Sequence, residues 1–344
     1  MLHRAKAMGE LIMSTMETVL HALKNSDIPI SGEELAGELG ISRNSVWKAI
    51  NKLKAAGYQI SAVTNRGYRL LSAGDAFIAE ELAQLLPRET EDVSIEIRDS
   101  ASSTNTVLKE AAEKNTARDM ILIAHEQTAG KGRLGRDFFS PNQSGLYLSI
   151  LVHPSCAAAE ALYLTTAAAV AVTEAIKEVT GIEAQIKWVN DIYVKGKKVC
   201  GILTEASVDF ESGGLNYAVV GIGINIKQPE GGFPEDIFGT AAALYTEQPP
   251  RGIKLRLAAA VITEFYRFYN AADRKAHMKE YRERSFLKGL HVTFHQGDKT
   301  ECGTVTGIDE EAGLLVDLDN GENRVYSAGE VQLEKDFFNK NSED

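Results

Sequence analysis

The chain has 344 residues, 44% apolar and 25% charged, with a formal net charge of −11. That length exceeds a usual single domain, so two or three are expected, and the composition is that of a globular rather than a disordered or fibrous protein. The acidic sum argues against general nucleic-acid affinity, but local distribution outweighs it: between Ile41 and Leu70 there is no Asp or Glu, while Arg43, Lys48, Lys52, Lys54, Arg66 and Arg69 all fall there.

Residues 1–15 carry no clear boundary signal, and Arg4 and Lys6 are followed by no long apolar core of a secretory leader. From about Glu17 to Leu71 the pattern predicts a small helical DNA-binding unit. Val19, Leu20 and Leu23 form one apolar stripe. Ser31 and Glu34 make a capping box for a helix through Leu35 and Leu39. Gly40 turns the chain, and Ser42 caps a second helix whose Val46, Ile50 and Leu53 face inward. Its outward face then carries Arg43, Asn44, Lys48 and Asn51, as major-groove reading requires. The runs 58–63 and 67–71 read as a hairpin tipped by Thr64-Asn65-Arg66, a wing for phosphates.

A linker at Ser72-Ala73-Gly74-Asp75 leads into an α/β region. Ser103 and Thr104 are expected to cap a helix with Val107, Leu108, Ala111 and Ala112 on one face. Strands follow near 120–125 and 146–152, then an Ala-rich helix from Ala157 to Val179 that Glu160, Glu174 and Lys177 mark as buried rather than membrane-spanning. Further strands are expected near 184–187, 192–194, 199–206 and 217–226, with Lys195-Gly196-Lys197 as a hairpin turn. One long amphipathic helix, Leu255–Tyr281, closes the region. Hairpins outnumber crossovers, so a mixed or antiparallel sheet with helices on one face is expected rather than a doubly wound parallel one. Four short strands between Gly289 and Tyr326, separated by turns that include Gln296-Gly297-Asp298, predict a small barrel, and the tail after Lys335 is expected to fray.

Three features carry the chemistry. Gly130-Lys131-Gly132-Arg133-Leu134-Gly135-Arg136 interleaves glycines with cations, which suits a phosphate or carboxylate. It matches G-x-G-x-x-G formally, but Asp137 to Asn142 is turn chemistry where a Rossmann unit would open a helix. Lys187-Trp188-Val189-Asn190-Asp191 and the strand beginning at Lys198 complete the set. Alone, Lys198 reads as a surface lysine at a hairpin end; together the three can hold a nucleotide triphosphate with its Mg²⁺ and a carboxylate substrate. Cys156, Cys200 and Cys302 have neither disulfide nor zinc spacing, which points to a reducing cytoplasm. The histidines lack ligand spacing as well.

With Gln127, Phe138-Phe139-Ser140-Pro141, Gly201 and Gly221-Ile222-Gly223-Ile224-Asn225 added, the sequence resembles the bifunctional biotin–protein ligase and biotin operon repressor (BirA) family over nearly its whole length. The resemblance implies an α+β multidomain protein: a winged helix-turn-helix over 1–73, a mixed-sheet biotin/lipoate ligase-like domain over 74–284, an SH3-like C-terminal β-barrel over 285–336 and a tail, 337–344. It implies formation of biotinyl-5′-AMP from biotin and MgATP, then transfer to a lysine of a biotin carboxyl carrier protein or domain of acetyl-CoA carboxylase and other biotin enzymes. Lys198 and Arg133 would be catalytic. Biotin would meet Ser103, Thr104, Asn105, Gln127, Gly130, Lys131, Gly132, Arg133, Lys198 and Gly201, and the nucleotide Lys131, Arg136, Phe138, Asn190, Asp191 and Asn225. No protein metal site is implied, Mg²⁺ arriving with ATP beside Asp191. Ser42, Arg43, Asn44, Lys48 and Arg66 would meet operator DNA. A cytoplasmic homodimer formed with the adenylate as corepressor, and no membrane partner, complete the expectation.

Two positions depart from the family pattern. Lys131 stands where many members have Arg, which keeps charge but loses the bidentate fork, and Val189 replaces a proline. The rivals are a lipoate ligase, which lacks a winged helix, and a non-catalytic ligand-sensing repressor, which would be expected to lose Lys198 or Arg133.

Overall fold

The computed structural model describes residues 14–26, 28–55, 57–63, 66–72, 77–114, 118–209, 211, 213–296 and 299–333. Thr64 and Asn65 of the expected wing tip, Ala73, Gly74 and Asp75 of the linker, Gly297 and Asp298, and the tail lie outside the described residues. The chain divides into two compact units, one through Glu81 and one from Leu82.

The first unit holds α1 (Thr15–Lys24), α2 (Gly32–Leu39), α3 (Arg43–Ala55), β1 (Gln59–Val63) and β2 (Gly67–Ser72). Ser14 and Glu17 form a capping box on α1 as Ser31 and Glu34 do on α2. Gly40 sits at φ 63°, the left-handed conformation that ends α2 without a Cβ penalty. Ser42 Oγ accepts from Ser45 N at 3.0 Å and starts α3. Val19, Leu23, Leu35, Val46, Ile50 and Leu53 are each 2% exposed or less and fill the core. β1 and β2 pair antiparallel, and Ile30 bridges to Tyr68 beside them.

The second unit begins within α4 (Ala79–Ala83) and is organised by a seven-stranded sheet. Its strands are β3 (Ser94–Arg98), β4 (Met120–Ala124), β5 (Gly145–Val152), β6 (Gln185–Lys187), β7 (Asp191–Val194), β8 (Lys197–Val208) and β9 (Leu215–Asn225), in the order β3-β4-β5-β9-β8-β7-β6. Only β3 and β4 run parallel. The Trp188–Val189 peptide is cis. Every residue of β5 is buried, as expected for the centre of the sheet.

Helices cover both faces, not one. Thr204 of β8 is bonded by Thr165 of α6 (Ala161–Thr180), whereas its neighbour Glu205 bonds Asn105 and Lys109 of α5 (Thr104–Glu113). Successive strand residues point to opposite faces, so α5 and α6 sit on opposite sides. The periodicity of each helix showed only that it had a buried face, not which side of the sheet it would take. Ser103 occupies the N-cap of α5 but makes no side-chain cap bond. Twelve residues of α6 are buried, which accounts for its apolar composition.

The expected helix over 255–281 is two, α7 (Ile253–Tyr269) and α8 (Met278–Arg284). Asp273 Oδ1 accepts from Lys275 N at 2.9 Å, a turn that competes with helix. The buried His277 ring then meets Thr166 Oγ1 of α6 at 2.7 Å. Burial pushes the His277 pKa down to about 4.

The C-terminal part is a five-stranded antiparallel sheet of β10 (His291–Gln296), β11 (Lys299–Ile308), β12 (Leu314–Leu318), β13 (Asn323–Tyr326) and β14 (Glu330–Leu333), ordered β13-β12-β11-β10-β14. The four-residue β14 escaped the sequence reading. Phe294 on β10 and Tyr326 on β13 have ring centroids 3.6 Å apart. A flat sheet would separate those strands by about 14 Å, so this one curls upon itself as a small barrel does. Trp188 Nε1 donates to Ala312 O at 2.8 Å and ties it to the large sheet.

Candidate active site

A cavity of about 660 Å³ opens over β8 and β9. Its floor is low because the strands carry glycine there. A Cβ on Gly221 would stand 2.2 Å from Asn105 Oδ1, and one on Gly223 2.4 Å from the Phe138 ring. Neither is demanded by backbone conformation; both are demanded by what packs above. Gly130 serves the loop in the same way, a Cβ there meeting Phe138 O at 2.4 Å.

One end of the cavity is lined by uncharged side chains that are closely bonded and rest on the Glu205–Lys109 pair. Thr104 N and Thr104 Oγ1 both donate to Gln127 Oε1, at 2.9 and 3.1 Å, and Gln127 Nε2 donates to Ser140 Oγ at 2.9 Å. The amide of Gln127 therefore has a defined orientation. Ser149 Oγ lies 2.7 Å from both Thr104 Oγ1 and Asn105 Oδ1, and Asn105 Nδ2 donates to Leu203 O and Glu205 Oε2 at 3.1 and 2.9 Å. Lys109 holds the other Glu205 oxygen at 2.6 Å. Burial raises the Glu205 pKa, but the bonds from Lys109 and Asn105 outweigh it and leave the carboxyl below its usual range. Ser103, Thr104 and Asn105 are at most 3% exposed, so this network is set before any ligand arrives.

The other end is cationic. The loop Gly130 to Arg136 closes on itself through Gly132 N to Arg136 O (2.7 Å) and Phe138 N to Gly130 O (2.8 Å), with Leu134 at φ 57° and Gly135 at φ 74°. Arg133 Nη1 donates to Asn190 Oδ1 at 3.0 Å and its Nη2 to Gly329 O at 3.1 Å. Arg136 grips Glu330 with two 2.6 Å bonds. Lys198 Nζ lies 2.6 Å from Asp191 Oδ1. Burial pulls the Lys187 ammonium below its usual range; Asp191 and Glu330 oppose that shift, while Lys198 and Arg136 reinforce it. A site that already depresses a lysine by burial and by neighbouring cations favours an anion.

Of the residues singled out in sequence, Ser103, Thr104, Asn105, Gln127, Lys131, Gly132, Arg133, Arg136, Phe138, Asn190, Asp191, Lys198, Gly201 and Asn225 line this cavity. Gly130 does not; it packs beneath the loop. Sequence reasoning placed Lys187 in a motif without giving it a role of its own, and missed Phe233, Ile237, Gly239, Thr240 and Ala241, and the C-terminal stretch Gly329 to Leu333. Lys198 pairs with the missed segment through Lys198 N to Thr240 O and Ala242 N to Lys198 O, both 2.8 Å. In the first unit Ser42, Arg43, Asn44, Lys48 and Arg66 are exposed, but the Ser42 hydroxyl is engaged at the helix cap.

Residues 98–225 match the biotin/lipoate A/B protein ligase family, 15–69 a helix-turn-helix (HTH) domain, and 289–333 the biotin protein ligase C-terminal domain. The chain is 32% identical to the bifunctional ligase/repressor BirA of Bacillus subtilis, covering 87% of this chain and 92% of that protein. It is 27% identical to the bifunctional ligase/repressor BirA of Escherichia coli, covering 88% and 92%. The biotin protein ligase of Aquifex aeolicus in complex with biotin and ATP superposes with a TM-score of 0.58 at 30% identity, covering 70% of this chain and 98% of that one.

Proposed function

The chain belongs to the BirA family of bifunctional ligase/repressors, and from that premise we propose how its own residues divide the work. It is an ATP-dependent biotin–protein ligase with an HTH repressor domain. Biotin and ATP combine to biotinyl-5′-AMP and pyrophosphate, and the biotinyl group passes to a lysine of a biotin carrier domain.

The neutral end takes the biotin head group. Its ureido carbonyl and N–H groups need partners when buried, and Thr104, Asn105 and Gln127 supply donors and acceptors already held in place, with the buried Ser103 beside them. The carboxylate extends over the glycine floor to Lys198 and Arg133. The phosphates lie against Lys131, Arg136 and Lys187, with Asn190, Asp191 and Asn225 toward the nucleotide and Phe138 above the floor. Mg²⁺ enters with ATP; among the described residues no cluster of three or more His, Cys, Asp or Glu could hold a metal by itself.

In the first step a carboxylate oxygen attacks the α-phosphorus, forming O–P as the bond to pyrophosphate breaks. Two anions approach, so Lys198 and Arg133 neutralise them at the point of contact and catalysis is positioning with electrostatic stabilisation. In the second step the carrier amine attacks the acyl carbon, and AMP leaves with the electron pair of the C–O bond. The adenylate also acts as corepressor for a cytoplasmic homodimer whose two HTH units meet two operator half-sites. Arg43, Asn44, Lys48 and Arg66 approach that DNA, with Ser42 at the helix cap beside them.

One cavity with a hydrogen-bonded network of uncharged side chains resting on the Glu205–Lys109 pair at one end and a cluster of cations at the other carries this reading. The test is pyrophosphate release with biotin and ATP, followed by the mass of a purified carrier domain. Release followed by one added biotinyl group is expected; binding of both substrates with neither product would leave a ligand-sensing repressor. Sedimentation with and without biotin and MgATP tests the corepressor step, and a mass distribution indifferent to the adenylate would remove it.

A further inference from the structure

On α3 the cations do not account for the whole outward side. At about 100° per residue, Arg43, Asn44, Trp47, Lys48 and Asn51 share one sector of roughly 140°. Trp47, Asn51 and Asn44 lie in its middle, and Arg43 and Lys48 form its edges. All five are exposed. The other side of the same helix, Val46, Ala49, Ile50 and Leu53, is at most 4% exposed and belongs to the core. Trp47 is 55% exposed. A single apolar side chain in water is ordinary, but this one stands within a polar sector bounded by cations.

We propose that Trp47 reads sequence in duplex DNA, its indole meeting a thymine methyl in the major groove between phosphate contacts from Arg43 and Lys48. The inference rests on the HTH unit being the DNA-binding part of the molecule. Charge complementarity selects the partner. Between Ile41 and Leu70 the chain has no acidic residue; the exposed Lys54 falls in the same sector farther along α3, and Lys52, Arg66 and Arg69 extend the cationic surface beyond it. The nearest acid, Glu33, lies 3.8 Å from Arg43, with both side chains largely in water. A polyanion fits that surround, and the thymine methyl is the apolar feature a major groove offers. Trp47 is also in the N-terminal half of α3, the part of a recognition helix that meets base edges.

The experiment selects duplexes from a random-sequence pool with the full-length protein, then measures affinity of wild type, Trp47→Ala, Trp47→Phe and Arg43→Ala for the selected and unselected duplexes at two salt concentrations. Trp47→Ala should lose about tenfold on the selected duplex, keep its affinity for the unselected one and keep its salt slope. Trp47→Phe should recover part of the loss. Arg43→Ala should weaken both and lower the salt slope by about one. Replacing thymine by uracil in the selected duplex should weaken wild type and leave Trp47→Ala unmoved. Equal losses on both duplexes, no loss, or no response to uracil would overturn the role of Trp47 alone. A wild-type protein that selects no duplex above the pool would overturn the DNA-binding reading too, whereas a Trp47→Ala protein that loses self-association without DNA would assign the indole to a second copy. Carrier biotinylation by Trp47→Ala should match wild type, which controls for folding.

Discussion

Thr104, Asn105, Gln127 and Ser149 are uncharged and bond one another, with Asn105 reaching on to Glu205, whereas Lys198 and Arg136, in the same cavity, are held directly by Asp191 and Glu330. A neutral network that is complete without ligand is stiff, and removing one member leaves the others short of partners. A cation resting on a carboxylate is different: its partner fixes its place, yet a phosphate can share or displace that partner. The comparison teaches that the neutral end should decide which acid enters, and the cationic end how fast it reacts and how strongly salt matters.

The largest expected effect breaks the cationic end. Lys198→Ala should lower pyrophosphate release by roughly 10²- to 10³-fold, the usual loss when a preorganised charge facing a developing anion is removed. The protein should stay folded, because the side chain is one third exposed. Release within a few-fold of wild type would remove Lys198 from the chemistry.

Next, Gly221→Ala tests the neutral end. Its Cβ would force Asn105 off Ser149, Leu203 and Glu205. Calorimetry should show biotin binding weakened about tenfold or more, with ATP affinity little changed. Equal loss for both substrates would mean that the two ends are not separate.

Glu330→Ala should be the mildest. The Arg136–Glu330 pair has side chains 65% and 32% exposed, and such pairs contribute about 0.2–1 kcal/mol. The KM for ATP should rise a few-fold, less so at high salt. Burial raises the Glu330 pKa, but Arg136 and Lys187 more than compensate and hold it below the usual glutamate range. The pair is therefore intact above the ordinary glutamate range and lost as pH falls through that depressed value, where wild type should come to resemble the variant. A KM for ATP that is equal in both proteins at neutral pH would show the pair to be idle.

The helix-turn-helix unit was legible because its signals are local: a capping box at Ser31 and Glu34, an αL glycine at 40, and inward residues at 46, 50 and 53. The glycine loop and the lysine at 198 were legible as chemistry, and their order along the chain carried the family resemblance. What sequence did not show was made by distance. Arg136 meets Glu330 across 194 residues, and no periodicity at either end announces it. Lys187 looked like one cation of a motif; only burial beside Lys198 and Arg136 marks it out. The division of the expected helix over 255–281 depends on Asp273 turning back on Lys275 and on His277 packing against Thr166.

The division of the cavity is tested most directly by titrating biotin and ATP separately into Gln127→Ala and Arg136→Ala. Gln127→Ala should lose biotin affinity and keep that for ATP, because it breaks the neutral network alone. Arg136→Ala should do the reverse. If each variant weakened both ligands alike, the cavity would be one undivided site and the account of two differently prepared ends would be wrong.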